Sequence, residues 1–278
     1  MNGLHKLLHV ALAACGVVLL GAPAHAADAS PWSQDSRSGL RLVAGANRQS
    51  EAPLRAGIEI KLQPGWKTYW RYPGDSGVPP RFDFSGSDNL KSATVLYPAP
   101  HLFADEIGRS LGYKDAVMFP LLISPAQPGK PVTLRLKLDY AVCEKLCIPA
   151  EGRAELTLGA GDSSHDATLA AAEARVPKPV AAAAAGLSVR RINDAPKPLI
   201  TVDLNAPADK PVELFVEGPT PEWALPIPRP AQGAPAGRRH FSFELDGLPP
   251  GVDPKGRVEL TFTVVEGERA IEVKTYLD

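Results

Sequence analysis

Between Leu40 and Leu158 apolar and polar residues alternate in short runs, the two-residue period of strands that face a core on one side and water on the other. Leu40-Arg41-Leu42-Val43 and Ala56-Gly57-Ile58-Glu59-Ile60-Lys61-Leu62 show it, and Val132-Thr133-Leu134-Arg135-Leu136-Lys137-Leu138 shows it most cleanly. Pro64-Gly65, Pro73-Gly74, Pro79-Pro80 and Pro128-Gly129 punctuate the runs as turns. A sandwich of two antiparallel sheets accounts for this pattern best.

The period changes at residues 160–185. Asp162-Ser163-Ser164 is placed to cap an alanine-rich helix running through Thr168 to Arg175, and Pro177, Pro179 and a five-alanine run follow. This stretch reads as a helix plus linker between two domains. Strand periodicity then returns in Leu199–Leu204, Val212–Val216, Phe241–Leu245, Val258–Val265 and Ala270–Tyr276, enough for a second, smaller β-sandwich. The expected division is 1–26 leader, 27–160 first β domain, 161–186 helix and Ala/Pro linker, 187–278 second β domain. A faint echo links the halves: Pro128-Gly129-Lys130 opens one long strand and Pro254-Lys255-Gly256-Arg257 another, with the turn Glu266-Gly267-Glu268 where the first half has two cysteines. Duplication and coincidence both account for it.

The leader assignment rests on Lys6, the apolar run Leu7 to Leu20, and a small-x-small site at Ala24-His25-Ala26. The run is too short and interrupted for a comfortable membrane span. Leu12-Ala13-Ala14-Cys15 offers a rival, lipid-anchored start, but cutting there would bisect the apolar run. Cleavage after Ala26 would leave 252 of the 278 residues, two cysteines, and a net charge of −2 (the chain's −1 less Lys6). A near-neutral balance gives no electrostatic support to a nucleic-acid or anionic-membrane partner. The 29 prolines and 24 glycines favour short strands joined by turns. Export to an oxidising compartment, expected to be the periplasm, permits a disulfide.

The candidate chemistry is Cys143 and Cys147, at the end of the clean strand. Extended backbone would hold their α-carbons roughly 13 Å apart, and a bridge tolerates at most about 7 Å. The chain must therefore turn between them if they are to bond. As a staple, a five-residue loop contributes only about 2 kcal/mol, against about 4.7 for a hundred-residue loop, so the small local gain favours a functional pair. A thiolate attacks a disulfide through a mixed disulfide that a second thiol resolves. Lys145 between the cysteines would lower a thiol pKa and Glu144 would oppose it. Redox exchange, a purely structural bridge in a binding or scaffold protein, and Cu(I) held by two thiolates all remain open at this point. His101, His165 and His240 have no spacing that builds a metal site with the cysteines.

Four stretches then converge on this pair: Gly65-Trp66-Lys67-Thr68-Tyr69-Trp70 with Pro73-Gly74-Asp75-Ser76-Gly77; Phe103-Ala104-Asp105-Glu106-Ile107-Gly108; Gly112-Tyr113 to Phe119-Pro120-Leu121; and Tyr140-Ala141-Val142-Cys143 to Cys147-Ile148-Pro149. Together they resemble the N-terminal periplasmic domain of the disulfide reductase DsbD and its ScsB relatives, over residues 40–158. The resemblance implies an immunoglobulin-like antiparallel β-sandwich, hence an all-β chain, with a redox-active pair at one end. It implies thiol:disulfide interchange of the protein-disulfide reductase type, without a cofactor or metal. The expected partners are a membrane-embedded thiol reductase that supplies electrons and periplasmic thioredoxin-like or disulfide proteins that receive them. Cytochrome c biogenesis and copper tolerance are the processes it brings with it.

By the same resemblance Cys143 and Cys147 are the exchanging residues, with Cys147 the sulfur first attacked. Asp105 and Glu106 match an acidic pair near the active site, where a carboxylate would tune a thiolate or accept a proton. Ile107 and Gly108 fall where the family carries an aromatic cap, so Phe103 and Tyr113 are the aromatics available to replace it. Three residues separate the cysteines here, against five in the DsbD domain. The sequence carries neither the membrane conduit nor the thioredoxin-like domain of DsbD, so a separate protein is expected to supply electrons. Simpler roles compete: Trp66, Tyr69 and Trp70 as packing, Asp75 and Ser76 as turn residues, Asp105-Glu106 as a solvated pair, and Tyr140 as a strand residue rather than an active-site hydroxyl.

Overall fold

The computed structural model describes residues 27–48, 53–75, 77–105, 108–193, 197–206, 211–234 and 237–277. The proposed leader, with Cys15, lies outside them.

The first half contains β1 (Ser33–Gln34), β2 (Ser38–Ala44), β3 (Leu54–Leu62), β4 (Lys67–Gly74), β5 (Arg81–Asp83), β6 (Leu90–Val95), β7 (His101–Asp105), β8 (Gly108–Lys114), β9 (Ala116–Pro125), β10 (Val132–Cys143) and β11 (Cys147–Leu158). One sheet runs β1-β2-β3-β9-β6 and the other β11-β10-β4-β8-β7, with β5 also on β10. Every pairing is antiparallel. The alternation in β10 has its expected meaning. Val132, Leu134, Leu136 and Leu138 are buried against Leu40, Ile58, Phe119 and Leu121 of the facing sheet, while Thr133, Arg135 and Lys137 point outward. The core aromatics Tyr97, Phe82 and Tyr113 meet Phe119 edge-on at 5.3–5.5 Å between centroids.

The helical stretch is α1 (Asp166–Ala174), beginning two residues before the expected start. Asp166 is fixed to the first sandwich: its carboxylate accepts from the Ala46 N–H (3.0 Å) and Arg55 Nη1 (2.6 Å). Leu169 and Ala172 bury against Val43 and Met118. The following residues are laid along the second half: β12 (Lys178–Pro179) pairs in parallel with Ile271 and Glu272, and α2 (Ala182–Ala185) ends on Gly186 at φ 60°. The stretch expected as a linker is thus packed on both sides.

The second half contains β13 (Leu187–Ile192), β14 (Leu199–Asn205), β15 (Glu213–Glu217), β16 (Arg229–Pro230), β17 (Arg238–Glu244), β18 (Val258–Glu266) and β19 (Arg269–Leu277). Sheets β12-β19-β18-β15 and β13-β14-β17-β16 enclose a separate core around Ile200, Val202, Leu260, Phe262 and Val273. The chain is therefore all-β, an immunoglobulin-like sandwich followed by a second, smaller one. No helix among the described residues is long and apolar enough to cross a membrane.

The two halves meet along β4. Phe215 and Ile227 of the second half join the first core, and Trp70 lies 6.1 Å from Phe215. Arg71 forks onto Glu217 (2.8–3.2 Å) and reaches Glu272 at 2.5 Å, and the Tyr72 hydroxyl donates to the Leu225 carbonyl. Burial works against the Arg71 charge, but Glu217 and Glu272 outweigh it and hold its pKa above the ordinary arginine value.

Candidate redox site

β10 and β11 form a hairpin whose last registered pair is Cys143 and Cys147. Three exposed residues, Glu144, Lys145 and Leu146, make the loop. The turn brings the two α-carbons to 4.2 Å and the sulfurs are bonded. The requirement that the chain reverse between the cysteines is met by the hairpin itself.

The two sulfurs have unequal surroundings. Along β10 the even positions Leu138, Tyr140 and Val142 face the core, so Ala141 and Cys143 fall on the outer face of the sheet. Cys143 is nevertheless only 1% exposed, because Tyr69 and Ala141 pack beside it. Cys147 is exposed, and so is Leu146 before it, at 76%.

Tyr69 is the residue that organises the pair. Lys67 stands opposite Cys143 in the β4–β10 register, so Tyr69, two residues along, shares the sulfur-bearing face. Its hydroxyl donates to the Cys143 sulfur at 2.9 Å and lies 3.0 Å from that of Cys147. The neighbouring Thr68 ties β4 to β10 through a 2.9 Å bond to the Ala141 carbonyl. Two glycines make the arrangement possible. A Cβ on Gly112 would sit 2.0 Å from the Thr68 carbonyl oxygen, and one on Gly77 would sit 2.6 Å from the Tyr69 ring. Gly77 therefore lies directly on the tyrosine ring. Reading Tyr69 as packing captured its burial, 2% exposed, but not the target of its hydroxyl. Periodicity places Tyr69 on a face; only strand register puts it beside the sulfurs.

The other expected site residues separate. Tyr140 faces the core and hydrogen-bonds Ser38 at 2.7 Å, on the side of the sheet away from Cys143. Burial pushes its pKa up, so it stays protonated as a structural hydroxyl. Tyr113 is also in the core, donating to the Pro98 carbonyl at 2.8 Å, and cannot shield the sulfurs. Phe103 is on the sulfur-bearing face, but β8 and β4 lie between it and β10. The Lys67 ammonium reaches toward it, 5.3 Å from the ring centroid, and donates to Ser110 at 3.2 Å. Asp105 ends β7 opposite Gly108, while its side chain, Glu106 and Ile107 lie outside the described residues.

Residues 42–159 match the family model described as thiol:disulfide interchange protein DsbD, N-terminal. The match falls on the first sandwich, which is similar to the DsbD N-terminal domain. The match encloses all but the first residues of the stretch singled out by sequence, including the hairpin and its disulfide. Among solved structures, the N-terminal periplasmic domain of ScsB from Proteus mirabilis is similar with a TM-score of 0.68 at 20% identity, covering 90% of this chain and 98% of that one. That likeness is one of fold, and its coverage takes in both sandwiches. No curated protein sequence matches the chain. The first sandwich thus presents a disulfide between one exposed and one buried cysteine, with a phenol within hydrogen-bond distance of both sulfurs.

Proposed function

We propose that the chain performs thiol–disulfide exchange in the periplasm through Cys143 and Cys147, taking electrons from a membrane-embedded thiol reductase and passing them to thioredoxin-like or other disulfide proteins. The observation that carries this is the asymmetry of the bridge within a sandwich similar to the DsbD N-terminal domain. Cys147 is an exposed residue and Cys143 a buried one, so an incoming thiolate would approach the bridge from the Cys147 side.

The exchange balances with two cysteines on each side. A partner thiolate attacks Cys147 Sγ; the new intermolecular S–S bond forms as the Cys143–Cys147 bond breaks, and Cys143 leaves as a thiolate. That charge appears in a buried place, where desolvation opposes it, and the Tyr69 O–H is already aimed at it. The partner's second thiolate then attacks its own mixed-disulfide sulfur, releasing Cys147 and leaving this chain as the dithiol. In the forward delivery of electrons, Cys147 attacks an acceptor disulfide, and Cys143 closes back on Cys147 to expel the acceptor as a dithiol.

The test is the reduction potential of the full chain against glutathione and the mixed disulfides of its single-cysteine variants. Cys143→Ala should form a stable mixed disulfide with oxidised glutathione through Cys147, and Cys147→Ala should do so far more slowly. A potential below about −300 mV would mark a structural bridge and overturn the proposal.

A further inference from the structure

The second sandwich has no part in the exchange as written, yet it grips the strand that carries Tyr69. β4 is poorly held by its own sheet. Its ladder with β8 runs Lys67↔Lys114, Thr68↔Tyr113 and Tyr69↔Gly112, and resumes only at Gly74↔Ser110. Four residues of β4 therefore stand opposite one residue of β8, Leu111. On its other side the registered pairs with β10 are Thr68↔Val142 and Cys143↔Lys67 alone. A bulge of this size releases the strand from its ladder and frees it to re-aim the neighbouring side chains.

The second sandwich takes hold at that bulge. Trp70 packs on Phe215, Arg71 is forked by Glu217 and Glu272, and Tyr72 donates to Leu225. At the far end, a Cβ on Gly74 would meet Ile227 Cδ1 at 2.8 Å, and Arg109 donates to the Ile227 carbonyl at 2.9 Å. Four consecutive residues thus divide between two tasks. Tyr69 touches the sulfurs, and the next three are fixed by the other half of the chain.

We propose that the second sandwich, acting chiefly through Arg71, is the positioning element for the redox tyrosine: it pins the bulged segment of β4 and so holds the Tyr69 hydroxyl on the Cys143–Cys147 pair. Arg71 is a positioning residue and does not touch the reacting atoms. This rests on the exchange reading only in assigning the pair a redox task; the geometry it invokes is that of β4.

The experiment compares Arg71→Ala, Glu217→Gln and Tyr69→Phe in the full chain, measuring the equilibrium with glutathione and the thiol pKa. Arg71→Ala is expected to shift both in the same direction as Tyr69→Phe, the equilibrium constant by about threefold, or ~15 mV. Glu217→Gln, which removes one carboxylate while keeping its shape, should shift them less in the same direction and covers the case in which Arg71→Ala does not fold. In the double variant Tyr69→Phe/Arg71→Ala the shifts should not add, since the hydroxyl being positioned is gone. Val273→Ala, in the second core, should lower stability without moving the potential. Unchanged potentials in the Arg71 and Glu217 variants, or full additivity in the double variant, would overturn the assignment. A wild-type potential in the structural range would overturn the exchange reading instead, while the differences between variants would still report on the clamp.

Discussion

Replacing Tyr69 by phenylalanine removes one oxygen from a buried ring that otherwise stays in place against Gly77. In the oxidised chain the lost hydrogen bond goes to neutral sulfur, a weak acceptor. In the exchange proposed above, it would go to the thiolate that forms at the buried Cys143. A hydrogen bond to a charged group contributes about 1.5–3 kcal/mol and an ordinary one about 0.5–1.5. The difference, about 1–1.5 kcal/mol, is what the substitution takes from the reduced form. It corresponds to a thiol pKa higher by about one unit and, where the thiolate is the reduced species, to a potential about 20–30 mV more negative. Ultraviolet absorbance of the thiolate across pH reads the first quantity, and equilibration in glutathione buffers the second. Circular dichroism should remain that of the wild type. A folded Tyr69→Phe variant with unmoved pKa and potential would show that the hydroxyl does not serve the sulfurs.

Gly77→Ala should reproduce part of that shift by displacing the ring, with a stability loss of about 1–3 kcal/mol from overpacking, read by denaturant titration. Gly112→Ala meets backbone rather than a side chain, at 2.0 Å from the Thr68 carbonyl. It should be the more damaging of the two, visible as a lower unfolding midpoint and the loss of partner-dependent exchange. Leu146→Asp should slow exchange with a protein partner, which must cover this 76% exposed residue to reach Cys147, while leaving the glutathione potential in place. Acid should loosen the seat of α1. The Asp166 carboxyl is held below its usual range by the Ala46 N–H and Arg55, and that of Asp28 by the Ser164 hydroxyl and N–H. The stability they supply is present above the unfolded value of about 3.9 and is lost as pH falls through the lower folded values. Asp166→Asn should flatten the fall in melting temperature across that window, and an unchanged acid profile would count against the assignment.

Much of this was legible in order of residues alone. Period-two alternation in β3 and β10 fixed which side chains enter the core, because a strand's faces follow from parity without reference to neighbours. The spacing of Cys143 and Cys147 required a reversal between them, since no extended chain brings such residues within bonding distance. Parity also explains why Tyr140 was a poor site candidate: three residues from Cys143 on one strand, it belongs to the opposite face. What parity cannot supply is register. That Lys67 faces Cys143, and hence that Tyr69 reaches the sulfurs while Phe103 lies beyond β8, depends on how β4 is set against β10 and β8. Those strands are more than sixty and about forty residues away in sequence. The stretch after α1 shows the same boundary. Its prolines and alanines read as a linker because composition reports local preference, whereas its pairing with β19 is a contact made across about ninety residues. The sequence by itself determined the clearly alternating strands such as β3 and β10, the side chains they send to the core, and the turn that a bond between Cys143 and Cys147 needs. The tertiary structure decided which cysteine faces solvent, which phenol attends them, and that the second sandwich grips the strand carrying it, because each of these is a property of facing surfaces rather than of any one segment.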